Sequence, residues 1–269
     1  MAFSPPLERR SITALLEIMQ NLRDPEGGCP WDVAQTHESI AHYTLEEAYE
    51  VVDAIENGTP IDLKEELGDL LLQVVFHAQM ASEEHRFHFE DVVEAICDKM
   101  IRRHPHVFEN ADPRNPEEQT AAWEEIKAAE RAEKQKTGPK TVLDDVPVPL
   151  PALTRAEKLG KRASRLGFDW PDRQGVIDKI KEELAEVEDA MTENNQDHLA
   201  EEVGDLLFSI ANLTRHLKID GETALRQANM KFTQRFQHVE KLVEESGKAF
   251  QDHSPETLES YWQMAKNQS

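Results

Sequence analysis

Glu182-Glu183-Leu184-Ala185-Glu186, followed by Glu202-Val203-Gly204-Asp205-Leu206-Leu207, repeats an earlier stretch: Glu46-Glu47-Ala48-Tyr49-Glu50, followed by Glu66-Leu67-Gly68-Asp69-Leu70-Leu71. All five acids of one copy match the other at a constant offset of 136 (182 − 46, 205 − 69). Residues three apart share one face of an α-helix, so Glu183 pairs with Glu186 and Glu202 with Asp205; Glu47, Glu50, Glu66 and Asp69 do the same in the first copy. Asn57-Gly58-Thr59-Pro60 and Glu193-Asn194-Asn195-Gln196 separate the paired segments and read as turns. Each copy is therefore predicted to be a helical hairpin that brings four carboxylates together.

Carboxylates held that close repel one another and favour protonation unless a cation neutralises them. Oxygen-only ligands favour a hard divalent ion, with Mg²⁺ first where phosphates complete the shell and Mn²⁺ as a substitute. A single Glu-Glu-x-x-Glu is usually a solvated face in a chain with 31% charged residues. Here more than the acids recurs. Lys99-x-x-x-Arg103 and Trp123-x-x-x-Lys127 follow the first hairpin; Lys231-x-x-x-Arg235 and Trp262-x-x-x-Lys266 follow the second. Cations one helical turn apart suit the oxygens of a metal-bound polyphosphate.

These elements resemble the long, two-domain MazG-type nucleoside triphosphate pyrophosphohydrolases. The resemblance rests on both acidic sets, the two Gly-Asp-Leu-Leu runs, Gly28-Cys29-Pro30-Trp31-Asp32, Gln35-Thr36-His37 and Gly167-Phe168-Asp169-Trp170, and it covers nearly the whole chain. It implies an all-α fold, a homodimer, Mg²⁺ dependence, and hydrolysis of nucleoside triphosphates to the monophosphate and pyrophosphate. It also implies that the C-terminal copy is the one that turns over substrate.

On that basis Glu183, Glu186, Glu202 and Asp205 are expected to hold metal, so that an activated water attacks the α-phosphorus. Lys231, Arg235 and Lys266 are expected to neutralise the phosphates and leaving group. Glu182 is the remaining carboxylate that could orient or deprotonate the water. Trp262, Phe168 and Trp170 are candidates to stack on the base or sugar, and Lys140 could reach a phosphate. The first copy carries the equivalent metal set, Glu47, Glu50, Glu66 and Asp69. No histidine is assigned a role.

The rest of the sequence bounds this reading. Helical periodicity recurs, as in Leu184, Val187 and Met191 or Val203, Leu206, Leu207 and Ile210, whereas sustained alternation of period two is missing. An all-α chain of two tandem helical bundles is expected, with the metal carboxylates at the edge of the core beside these stripes. Domains are placed at 1–136 and 152–269, joined by a proline-rich linker at 137–151 that includes Val146-Pro147-Val148-Pro149-Leu150-Pro151. A helix is expected from Pro116 to Lys136.

A net charge of −23 argues against a nucleic-acid polymer as ligand. Two cysteines make no disulfide framework and suit a reducing compartment. No segment reads as a membrane span or secretory signal, so a cytoplasmic protein is expected. A ferritin-like di-metal centre needs Glu-x-x-His, which does not occur, and neither a complete Nudix motif nor a P-loop Gly-x-x-x-x-Gly-Lys is found. The non-enzymatic alternative is an acidic helical scaffold that binds nucleotide or a protein partner without turnover.

Overall fold

The computed structural model describes residues 4, 6–108, 115, 118–119, 122–123, 126, 129–130, 141–144 and 146–267. Among them are eleven α-helices and no strand, so the chain is all-α. It divides into two compact units, Met1–Glu133 and Lys134–Ser269. Most of the helix expected at 116–136, together with Lys127 and Lys140, lies outside the described residues.

In the first unit, α1 (Ile12–Leu22), α2 (Pro30–Ala34), α3 (His37–Asn57), α4 (Pro60–Glu83), α5 (Phe89–Arg103) and α6 (Pro105–Phe108) follow in order. Local chemistry sets the ends of the acidic hairpin. Thr36 and Ser39 form a reciprocal capping box at the start of α3, and Thr59 and Asp62 form another at the start of α4, where Pro60 takes the first helical position. The turn read from Asn57 to Pro60 is thus a helix stop joined directly to a helix start. Helices α3 and α4 pack along each other, with α1 and α5 against α4. Their shared core is Met19, Ile40, Val75, Phe76 and Met80, flanked by Leu15, Leu16, Tyr43, Leu72 and Phe89. Burying each such side chain contributes about 1.5–3 kcal/mol.

Arg23, at the C-cap of α1, ties this unit together. Its guanidinium pairs with Glu83 at 2.6 Å and lies 5.4 Å from the Phe76 ring centroid. Next to it, Gly28 is required by close approach: an added Cβ would sit 2.4 Å from the Leu22 carbonyl oxygen. The Gly-Cys-Pro-Trp-Asp element therefore forms a tight corner that launches α2.

Two histidines lock the start of α3 to α4. The Nδ1 atoms of His37 and His77 are 2.8 Å apart with the rings stacked, so one ring must accept and remain neutral. Burial, then the neighbouring His37, lowers the His77 pKa. The unfolded chain therefore binds this proton more readily than the folded one. This contribution to stability is complete above the unfolded value of about 6.5 and is lost as pH falls through it towards the folded value. Thermal unfolding is expected to shift downward between about pH 7.5 and 5.5, and His77→Gln should flatten that dependence. A slope unchanged in the variant would refute the assignment.

The second unit contains α7 (Ala152–Ser164), α8 (Arg173–Ala190), α9 (Gln196–Leu217), α10 (Gly221–Glu245) and α11 (Pro255–Lys266). Asp172 caps α8 and Asn195 caps α9, the latter inside the turn read at residues 193–196. Helices α8 and α9 form the second hairpin; α7 packs on α9 and α10, and α11 on α10. Gly160 of α7 permits that approach, because a Cβ there would meet the buried Asn212 Oδ1 at 2.3 Å. A separate core joins α10 to α11 through Val239, Val243 and Ala265.

One expectation is corrected. The apolar stripes of the second hairpin are not a core face within the single chain: Leu184, Met191, Val203, Leu207 and Ile210 are all exposed, Met191 to 68%. The α9 surface that is buried consists of Ser209, Ala211 and Asn212. Periodicity identified an apolar face correctly, but α7 covers a neighbouring one.

Candidate metal centre

Each hairpin gathers carboxylates from both of its helices. In the second unit, Glu183 and Glu186 from α8 and Glu202 from α9 each offer an oxygen within 4.8 Å of the others. In the first unit the equivalent cluster is Glu47 from α3 with Glu66 and Asp69 from α4. The remaining predicted ligand falls outside each set: Asp205, one turn beyond Glu202, and Glu50, one turn beyond Glu47.

Electrostatics at both clusters favour a cation. Burial, followed by the charges of Asp69 and Glu50, raises the Glu47 pKa. Glu66 is raised by burial, then by Glu50 and Asp69, and Glu186 chiefly by burial. Glu183 is only 4% exposed, deep for a carboxylate. Hard oxygen donors that repel one another match the requirements of a small divalent cation, and the residues present fit one.

The two clusters are not equivalent, and the residues that distinguish them were missed from sequence. Lys179 places Nζ 2.6 Å from Glu182 and 2.8 Å from Glu183, so the second cluster carries its own ammonium, whose pKa the two carboxylates raise. His198 links Glu202, at 3.0 Å, to Glu193, at 2.9 Å. At the matching positions the first copy has Tyr43, which packs against the core, and Asp62, which caps α4. The signal was available in the repeat itself: a register that preserves acids replaces Tyr43 by Lys179 and Asp62 by His198.

The remaining candidates are placed as follows. Lys231 and Arg235 stand on α10, and Lys266 ends α11. Trp262 packs against the α10–α11 core with its ring centroid 5.3 Å from that of Phe232. Trp170 packs against Gly175, where a Cβ would come within 3.0 Å of its ring. Phe168 is 81% exposed beside Gly167, whose φ is +83°. Asp169 between them is clamped by Arg215 at 2.6 Å and His216 at 3.0 Å, which hold its carboxyl well below the usual range. In the first copy Arg103 is engaged with Glu130, whose carboxyl is held at about 2 by Arg103 and Arg102. Trp123 donates its indole N–H to the Arg103 carbonyl.

Fold and site together define an all-α protein with a cluster of carboxylates on a helical hairpin, present twice. The sequence matches the MazG nucleotide pyrophosphohydrolase domain over residues 35–108 and again over 172–240, and the chain belongs to that family. It is 52% identical to the nucleoside triphosphate pyrophosphohydrolase of Escherichia coli K12, over 96% of this chain and 97% of that one. Identity to the nucleoside triphosphate pyrophosphohydrolase/pyrophosphatase MazG of Thermotoga maritima is 46%, over 94% of each. The uncharacterized protein YabN of Bacillus subtilis is 40% identical over 98% of this chain and 54% of its own length.

Proposed function

We propose that this chain is a Mg²⁺-dependent enzyme that hydrolyses ribo- and deoxyribonucleoside triphosphates broadly, to nucleoside monophosphate and pyrophosphate. The observation that carries the reading is the duplicated convergence of carboxylates within 4.8 Å, in a chain so similar over its length to nucleoside triphosphate pyrophosphohydrolases. We take residues 1–136 and 152–269 as the domains and 137–151 as their linker, with the C-terminal domain as the catalytic copy.

Glu183, Glu186, Glu202 and Asp205 would hold the ion; Glu47, Glu50, Glu66 and Asp69 would do so in the first domain. Bound there, Mg²⁺ or its substitute Mn²⁺ would polarise triphosphate oxygens and lower the pKa of a water. Cleavage forms a bond from water oxygen to the α-phosphorus and breaks the bond to the bridging oxygen, so pyrophosphate leaves. Glu182 orients the water and takes its proton. Lys231, Arg235 and Lys266 balance charge on the leaving group. Phe168 offers an open ring face for the base, while Trp170 and Trp262 act from their packed positions as walls.

The exposed apolar stripe on α8 and α9 supports a homodimer, since contiguous apolar patches mark association surfaces. Among the described residues no helix is long and apolar enough to cross a membrane, and we assign the enzyme to the cytoplasm. The acidic net charge supports free nucleotides over a nucleic-acid polymer as ligand.

The test is product analysis across canonical and modified nucleoside triphosphates with Mg²⁺. Monophosphate and pyrophosphate should form one for one. Orthophosphate as the sole phosphate product, or no turnover of any triphosphate, would end this reading.

A further inference from the structure

In the second unit, His198 faces a carboxylate with each of its ring nitrogens. Nδ1 is hydrogen-bonded to Glu193 Oε2 at 2.9 Å, and Nε2 lies 3.0 Å from Glu202 Oε1. An ionised carboxylate only accepts, so both nitrogens donate, and the ring is held between an anchor outside the acidic cluster and one of its members. The placement is local in origin. His198 and Glu202 are one turn apart on α9 and share a face, while Glu193 stands in the turn just before the Asn195 cap.

Glu202 needs such a hold because its neighbours push it away. Glu183, Glu186 and Glu202 each bring an oxygen within 4.8 Å of the others, and like charges at that distance repel. A glutamate has three rotatable bonds by which to escape. The ring of His198 opposes that from outside the cluster, engaging Oε1 and leaving the carboxylate its second oxygen. Lys179 supports Glu183 in the same way from α8.

The first copy shows the same cluster without this support. Glu193, His198 and Glu202 correspond there to Asn57, Asp62 and Glu66, at the offset of 136. Asn57 donates to Asp53 at 2.7 Å, and Asp62 accepts the Thr59 backbone N–H at 2.7 Å in the capping box of α4. Burial raises the Glu66 pKa first, and the Asp62 charge is among those that push it further. The position that steadies the carboxylate in one copy repels it in the other. We infer that His198 is a positioning residue for Glu202, with Glu193 fixing the ring, so that the second cluster is preset for its ion and the first is not. This rests on the metal reading given above and adds to it the group that sets the geometry of one ligand.

The experiment is titration of the full chain with Mn²⁺ alone, followed through the paramagnetic resonance of the free ion, in a Glu47→Gln background that disables the first cluster. His198→Ala should raise the dissociation constant about 10–100-fold, the usual effect of losing a group that orients a metal's ligand. The Mg²⁺ concentration for half-maximal pyrophosphate release should rise with it. His198→Gln, whose amide can still donate to Glu202 across one turn, should return to within about threefold of the parent. Glu193→Ala should fall between the two. The Asn195 cap takes only the backbone N–H of His198, so the metal-free variants should melt with the parent. Four results would overturn the proposal: unchanged or tighter Mn²⁺ binding in His198→Ala, His198→Gln as weak as His198→Ala, Glu193→Ala identical to the parent, or a parent that retains no Mn²⁺ yet still releases pyrophosphate. Failure of the enzymatic reading looks different, with no pyrophosphate from any triphosphate in wild type.

Discussion

Glu183→Gln is expected to lower pyrophosphate release by at least about 100-fold, since removing a group one step further from a metal already costs 10–100-fold. The substitution conserves shape but removes the charge of the most buried carboxylate in the C-terminal cluster, and it weakens the hold on Lys179. The ion would lose a ligand and Lys179 one of its two carboxylate partners. Glu47→Gln, the same change at the same register in the first copy, should leave turnover within about threefold if catalysis resides in the second unit. The comparison is made at saturating Mg²⁺ by following pyrophosphate. Loss of activity in Glu47→Gln with Glu183→Gln unaffected would transfer catalysis to the first copy.

Phe76→Ala should cost about 3–5 kcal/mol, the range for deleting a buried phenyl ring from a core that cannot collapse around it. Phe76 is 5% exposed, packs with Met19, Ile40, Val75 and Met80, and supports the guanidinium of Arg23 from below. Arg23 in turn holds Glu83 and the Asp32 carbonyl, so the cavity would also loosen the corner that launches α2. Against a usual total of about 5–15 kcal/mol, this should bring the first unit close to unfolding. Urea titration followed by circular dichroism should show its transition at clearly lower denaturant. A loss below about 1 kcal/mol would mean that the first unit's core lies elsewhere.

Helices, turns and the convergence of acids were legible in the sequence because they are encoded locally. Thr59-Pro60 and Asn195 announce helix starts wherever they stand, and acids three apart share a face in any helix. What the sequence concealed depends on tertiary neighbours. Lys179 is one cation among many in a charged helix by sequence, and only the fold sets its Nζ against both Glu182 and Glu183. Asp169 lies in a run singled out for its aromatics, yet its partners Arg215 and His216 come from the far end of α9. The apolar stripe of Leu184 and Leu207 was recognised as apolar, but periodicity does not say which face a third helix will cover.

The two acid clusters also bear on how the chain folds. Glu47 meets Glu66 and Asp69, and Glu183 meets Glu202, across turns of a few residues between consecutive helices. Closing so short a loop loses little chain entropy, and topologies built from such neighbouring contacts belong to the fast end of the folding spectrum. The same closure forces like charges together before any ligand is present. Divalent ions and neutral salt should therefore speed the zipping of each hairpin, which makes the refolding rate of this protein, as well as its turnover, a function of the ions around it.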